Sequence, residues 1–238
     1  NALPGLTHAR VLACNNIRAA TCAMYRFLGW KAERMGHYYR LADLPAYQLA
    51  QPGPKTILPV TGARVLKHVD SAADLIPLGM PKTNHTPRKD MWYMMRRYFH
   101  FPHFRYDVWA ALNYGRSDGY VVTRTVPAAD TGSAAVLRLV DYIGPDDLLP
   151  QLGRAIDGIL QQSGAEYIDC YNAGIPAEVW RAAGFVEREP GDGVVIPNYL
   201  TPPLRENTDY YYFTSEPENF VIFKADGDQD RPNLPADA

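Results

Sequence analysis

The chain says nearly the same thing twice. "ARVLACNN" at residues 9–16 returns as "AEYIDCYN" at 165–172, and "YRFLGW" at 25–30 returns as "WRAAGF" at 180–185. The alignment sets Cys14 over Cys170, Asn16 over Asn172, Tyr25 over Trp180 and Gly29 over Gly184, with a slip of one residue between the two matches. Each copy reads as a strand, an asparagine suited to cap a helix, a helix and a Gly-aromatic exit. Self-similarity at this separation points to a duplicated structural unit, although a short strand-helix pair can also recur by convergence.

Around the echo the periodicities alternate between two and 3.6. Val11, Leu12 and Ala13 form a short apolar strand, residues 17–28 a helix with Ala20, Met24, Phe27 and Leu28 on one face, and "GHYYRL" at 36–41 a strand. Proline and glycine in "LPAYQLAQPGPKTILPVTGA" then mark a linker. From Asp70 to Asn113 the sequence is irregular, with a helix expected over residues 90–99 and interrupted by Pro102. Next come a hairpin of "GYVVTRTV" and "AAVLRLVDYI", a helix "PDDLLPQLGRAIDGILQQ" striped by Leu149, Leu152, Ile156 and Leu160, and the second echo. A final strand is expected around Phe220 and Ile222. The fold class is therefore α/β (α+β), with a mixed central sheet flanked by helices. The expected divisions are a partial domain over residues 1–50, a linker with an aromatic and basic segment over 51–112, and a second domain with an acidic tail over 113–238.

The charge balance narrows the partners. A formal net charge of −2 over 238 residues supplies no basic field for nucleic acid. No run is long and apolar enough to cross a bilayer, and no signal peptide is evident. Cys14, Cys22 and Cys170, odd in number and set in apolar segments, suit a reducing compartment, so the expected location is cytoplasmic.

The unit "NNIRAATCAMYRFLGW" resembles the "N..A..LY..LGF" segment of the GCN5-related N-acetyltransferase superfamily, the strand, helix and strand beyond its splayed acetyl-CoA cleft. The spacing from Asn16 to Tyr25 is nine where that pattern has about seven. Residues 119–224 cover most of an acetyltransferase-like core, whereas the earlier strands of the first copy would lie before Asn1. The resemblance thus implies a tandem protein whose first copy is truncated. It implies transfer of an acetyl or other acyl group from acyl-CoA to an amine, with donor contacts at Asn16 and Arg18. Tyr25 would protonate the departing thiolate, a role Trp180 has no hydroxyl to fill. The turn "DYIGPDDLLP" lacks the family's "Q..G.G" pattern and carries Asp146 and Asp147, which would repel phosphate.

The remaining candidates concern the acceptor. Arg124, Arg138, Asp141 and Asp169 lie on adjoining strand-like segments, where strand alternation places several on one face; Asp141 and Asp169 are the candidate bases, and ion pairing across a sheet is the competing reading. "RRYFHFPHFRY" offers Arg97, His100 and His103 as a wall for a sugar or nucleotide, or else a packed aromatic core. Lys224, Asp226 and Arg231 would contact substrate from the tail or close the cleft through ion pairs. "DGDQD" fails as a calcium loop because Arg231 and Asp237 occupy the positions that need glycine and glutamate, and no metal is expected. The aromatic segment and the tail resemble stretches beside such domains in bacterial surface-polysaccharide pathways, which implies a small-molecule acceptor such as an amino sugar or nucleotide sugar. A homo-oligomer is compatible with this reading. The alternative is a non-catalytic carbohydrate- or partner-binding protein derived from the same fold.

Overall fold

The computed structural model describes residues 9–128 and 134–227. The chain begins with β1 (Ala13–Ile17), α1 (Ala19–Phe27), β2 (Lys31–Arg34) and β3 (Gly36–Leu41). It continues through β4 (Leu66–Val69), α2 (Ala72–Leu78) and α3 (Met91–Met94), which widens into a π-helical turn over Met95–Phe99. The hairpin strands that follow are β5 (Asp107–Asn113), β6 (Arg116–Pro127) and β7 (Ala135–Ile143). A 3-10 stretch over Asp146–Leu152 leads into α4 (Gly153–Ser163), because Pro150 has no N–H to continue one helix through the whole segment. The rest is β8 (Tyr167–Ala173), α5 (Ala177–Ala182), β9 (Val186–Glu187), β10 (Tyr211–Thr214), β11 (Ile222–Phe223) and a 3-10 turn over Lys224–Asp226.

The echo in sequence is an echo in geometry. α1 and α5 both end at a left-handed glycine, Gly29 at φ 80° and Gly184 at φ 90°. The same bonds close each: Trp30 N–H to Tyr25 O at 3.1 Å and Gly29 N–H to Arg26 O at 2.9 Å in one, Phe185 N–H to Trp180 O and Gly184 N–H to Arg181 O, both at 3.0 Å, in the other. This is the Schellman pattern, and at either glycine a side chain would strain the backbone.

Each β-α-β unit leaves a slot between its two strands, and the strand that fills it comes from the other unit. β10 lies between β1 and β2, antiparallel to both, while β3 lies between β8 and β9, antiparallel to both. Between β2 and β3 the chain does not turn back; Met35 donates its N–H to Tyr210 O at 2.8 Å, and one extended run passes from the first sheet into the second. Cys14 pairs with Phe213 and Cys170 with Tyr38, so Phe213 and Tyr38 occupy equivalent positions. Tyr25 accordingly stacks on Phe213 with ring centroids 3.9 Å apart, and Trp180 stacks on Tyr38 at 5.1 Å.

The small sheet has the order β1-β10-β2; the large one runs β4-β5-β6-β7-β8-β3-β9, with β11 pairing onto β8. This is a mixed α+β architecture, in which β7 and β8 are the parallel neighbours of an otherwise antiparallel large sheet. α4 and α5 cover one face, with Ile156, Leu160 and Trp180 packed on Val121, Leu137, Leu139 and Cys170. α2 and α3 cover the other through Leu75 and Met94 on Val108, Ala110 and Val122.

Three expectations change. The helix N-cap is Arg18 in extended conformation, not Asn16; Asn16 sits at φ 70° in a bulge where β1 has no register partner for it, and the bulge delays the helix. The irregular stretch from Asp70 to Asn113 holds α2, α3 and β5, elements too short or too mixed in polarity to show a period. The expected last strand shrinks to Ile222 and Phe223.

Candidate functional site

β7 and β8 pair only at Leu137 with Ile168 and at Arg138 with Asp169; beyond that they part. Parallel strands that splay leave edge N–H and C=O groups needing partners. Here the chain supplies them itself. β11 pairs antiparallel with Ala173 and Asn172 of β8, and Thr86 bridges to Phe220 on the far side of the same segment. Side chains take up the carbonyls of this wedge: Asn172 Nδ2 donates to Ile222 O at 3.1 Å, Asn15 Nδ2 to Phe223 O at 2.8 Å and Lys224 O at 2.9 Å, and Arg97 to Ala225 O at 3.0 Å. The cleft of the second unit is therefore filled by protein.

A bulge decides which charges face the wedge. Val122 pairs with Asp141 and Thr123 with Leu139, so Val140 is an extra residue. Strict alternation would put Asp141 on the face of Leu137 and Leu139; the bulge brings it to the face of Arg138. There Lys89 Nζ lies 2.7 Å from Asp141 and 2.8 Å from Asp226, Tyr98 donates to Asp141 at 2.6 Å, and Tyr93 donates to Asp226 at 2.8 Å. Burial pushes the Asp141 carboxyl up to about 6, with Lys89 pulling it down and Asp226 pushing it further up. For Lys89, burial works against the charge, but Asp141 and Asp226 outweigh it and raise its pKa.

A second buried chain runs across β7, β8 and β3. Arg138 Nη1 lies 2.7 Å from both Asp169 oxygens, and its Nη2 donates to Asn198 O at 2.6 Å. Asp169 Oδ2 is 2.9 Å from His37 Nε2, Arg188 Nε donates to His37 Nδ1 at 3.0 Å, and Arg188 also bonds Asp209. A guanidinium only donates, so Nδ1 must accept; His37 is neutral with its proton on Nε2, shared with Asp169. Burial lowers the His37 pKa accordingly. Burial opposes ionisation of Asp169 too, but Arg138 outweighs it and holds the carboxyl below its usual range.

The expected site residues divide among these surroundings. Asp141 and Asp169, read together as bases, belong to two different clusters, and both are fully buried. Arg124 stands beside Arg138 in register, over Phe104 at 3.9 Å, and donates to Thr201. Arg138 and Lys224 both approach Tyr199, at 4.7 and 5.4 Å, and Lys224 lies 4.0 Å from Tyr210. Arg97 bonds Tyr106 as well as the wedge, and Asp226 is part of the Lys89 cluster. Arg97, Arg124, Arg138, Lys224 and Asp226 thus come to one face. His100 lines a shallow hollow of about 400 Å³ with Arg96, Phe101 and Pro102, and His103 packs edge-on to Phe101. Arg231 lies outside the described residues. Among the described residues no three His, Cys, Asp or Glu side chains converge as metal ligands, and no helix is long and apolar enough to cross a membrane. A larger open groove, about 850 Å³, runs along α4 past Arg64, Trp109 and Arg154 and holds none of these charges.

In the first unit Tyr25 stacks on Phe213, half-buried, with Trp30 packed against both rings, and Arg18 is exposed. Asn16 Oδ1 is buried with no hydrogen-bond partner among the described residues. Its counterpart Asn172 accepts from Ile175 N–H at 3.2 Å and holds the wedge. Lys89, Tyr93, Tyr98, His37 and Arg188 escape a sequence reading. The one local signal is His37, a polar residue within a run buried on both faces.

No family model matches the chain, and no curated protein matches it. Solved structures do. A GCN5-related N-acetyltransferase from Anabaena variabilis is similar at 12% identity and a TM-score of 0.46, over 89% of this chain and 47% of that one. A GCN5-related N-acetyltransferase from Sphaerobacter thermophilus is similar at 10% identity and a TM-score of 0.40, over 87% of this chain and 60% of that one. A conserved protein of unknown function from Enterococcus faecalis, described as a probable N-acyltransferase, is similar at 12% identity and a TM-score of 0.43, over 90% of this chain and 47% of that one. The chain spans about half the length of the Anabaena and Enterococcus proteins.

Proposed function

We propose that the chain belongs to an N-acyltransferase in which the acyl donor is held by the first unit and the acceptor by the second. The observation that carries this is the wedge: β11 and the 3-10 turn Lys224–Asp226 occupy the opening between β7 and β8. A donor cannot lie there, and Asp146 and Asp147 at the following turn suit a phosphate poorly. On β1, whose Asn15 reaches the far side of the same turn, Asn16 presents a buried acceptor with no partner among the described residues.

Acyl-CoA would supply the thioester; the residues of this chain do the rest. Tyr25 keeps the hydroxyl that a leaving thiolate needs as proton donor. Asp169, held ionised by Arg138 and sharing the His37 proton, is a weak base, which leaves Asp141 as the candidate to deprotonate an ammonium. The face of Arg97, Arg124, Arg138 and Lys224, with Tyr199 and Tyr210, suits an acceptor that carries an anionic group and a ring, such as an amino sugar or nucleotide sugar in a cytoplasmic pathway. The second reading is a binding protein without catalysis, favoured by the absence of a phosphate-cradling glycine turn among the described residues.

Thermal unfolding of the full natural polypeptide with acetyl-CoA tests both. At one hundred times its dissociation constant the ligand should stabilise the fold by about 2.7 kcal/mol. Tyr25→Phe should keep that stabilisation and lower kcat about 100-fold. No stabilisation points to the binding protein; unchanged turnover removes Tyr25 from the chemistry.

A further inference from the structure

The turn Lys224–Asp226 joins two groups of buried charges. Lys224, itself buried, leans one way, its Nζ 4.0 Å from the Tyr210 ring and 5.4 Å from that of Tyr199, which Arg138 also approaches. Asp226 leans the other way, to Lys89 and Tyr93. The strand before the turn cannot set its position alone, because β11 pairs with β8 at two residues and then leaves it. Carbonyls beyond that point need donors from elsewhere, since a buried carbonyl left bare loses the hydrogen bond it had with water. Those of Phe223 and Lys224 both take the amide nitrogen of one buried side chain, Asn15, at 2.8 and 2.9 Å, from 208 and 209 residues away on β1. The fit there is close. Gly227, the residue after the turn, has φ −89°, which any residue adopts, yet a Cβ on it would collide with Asn15 Oδ1. Its missing side chain is a matter of room for that carboxamide.

We propose that Asn15 is a positioning residue: its carboxamide seats the Lys224–Asp226 turn and so fixes the Lys224 ammonium, in the acceptor face, relative to the unit that carries Tyr25. An amide nitrogen has two N–H groups and can serve two successive carbonyls; a hydroxyl has one to give, and the carboxylate of an aspartate, the same shape, has none. The role in acyl transfer rests on the function proposed above, with the donor on the first unit and the acceptor against the second. One side chain of the first unit then sets where the second presents its charge, the kind of placement on which orientation of two reactants depends.

The test is acylation of lysine amines by an N-hydroxysuccinimide ester in the full natural polypeptide, read by peptide mass spectrometry, with the exposed Lys67 and Lys82 as references. Lys224 should react slowly in the wild type and about tenfold or more faster in Asn15→Asp and in Gly227→Ala. The double variant should be no faster than the quicker single one, because both break one contact. Tyr25→Ala, which loosens the same unit away from the wedge, should leave Lys224 slow. In turnover of acetyl-CoA with glucosamine 6-phosphate, Asn15→Asp should raise KM for the amine about tenfold and leave the stabilisation by acetyl-CoA unchanged, whereas Tyr25→Phe acts on kcat. Unchanged Lys224 reactivity in both Asn15→Asp and Gly227→Ala overturns the inference. So does equal acceleration by Tyr25→Ala, which makes Asn15 a general stabilising contact, or faster labelling with an unchanged KM. A wild type that turns over no amine counts against the acyltransferase reading alone, and the labelling still decides whether Asn15 seats the turn.

Discussion

β1-α1-β2 and β8-α5-β9 share their turns, their stacked aromatic pair and their borrowed strand, yet one unit is buried and the other is half bare. Trp180 has no exposed surface, while Tyr25 is only half-buried. Asn172 has partners for both ends of its carboxamide, and Asn16 Oδ1 has none among the described residues. The borrowed strands differ as well. β3 is fixed in its slot by the Arg138–Asp169–His37–Arg188 chain of buried charges, whereas β10 is held by backbone pairing, Tyr212 and stacked rings. Local sequence sets the shape of such a unit; its neighbours decide whether it is core or site.

The contrast should break hardest at the charge chain. Arg138→Met leaves Asp169 buried with only a neutral histidine, and should cost about 3–5 kcal/mol in urea unfolding. A loss below about 1 kcal/mol would mean that β3 is seated without help from its buried charges, as β10 is. The stacked pairs come next. Trp180→Ala should cost about 3–5 kcal/mol and Tyr25→Ala about 1 kcal/mol, because only the first opens a cavity. Equal costs would erase the distinction between the units.

The smallest effect concerns the wedge. Burial holds the Asp141 carboxyl at about 6 in the folded chain, above its ordinary value of 3.8. Between those values the folded state keeps a proton that the unfolded state releases, so this contribution is fully present below about pH 4 and is lost as the pH rises to 6. Asp141→Asn cannot titrate there. The stability difference between wild type and variant should therefore shift by about 1–3 kcal/mol between pH 4 and 6.5, read from urea unfolding at each pH. A constant difference would show that Lys89 and the Tyr98 hydroxyl fully offset the burial of Asp141.

What could be read from the sequence was local. The echo, the glycine exits and the hairpin follow from residues within one turn of each other. The strand exchange does not, because "KAERMGHYYRL" carries no mark of which sheet each half will enter. β10 was hidden because its four residues, "YYFT", look like one more tyrosine cluster after a loop. Alternation rightly made Arg124, Arg138 and Asp169 neighbours but could not foresee the extra residue at Val140 that turns Asp141 toward Lys89. "NFVIFKAD" reads as a terminal strand, and its use as filling for a cleft depends on Thr86, Asn15 and Arg97, which lie far away in sequence.

The extended run from Lys31 to Leu41 spans about 33 Å at the usual rise of a strand, with one end in each sheet. The two halves are therefore linked like a threaded clasp. A protease nick in the proline-rich loop after Leu41 would not free the first fifty residues, since leaving means drawing β3 out from between β8 and β9. Neither half can be shuffled between proteins as a cassette, and a tilt imposed on one is felt by the other as tension along a single backbone.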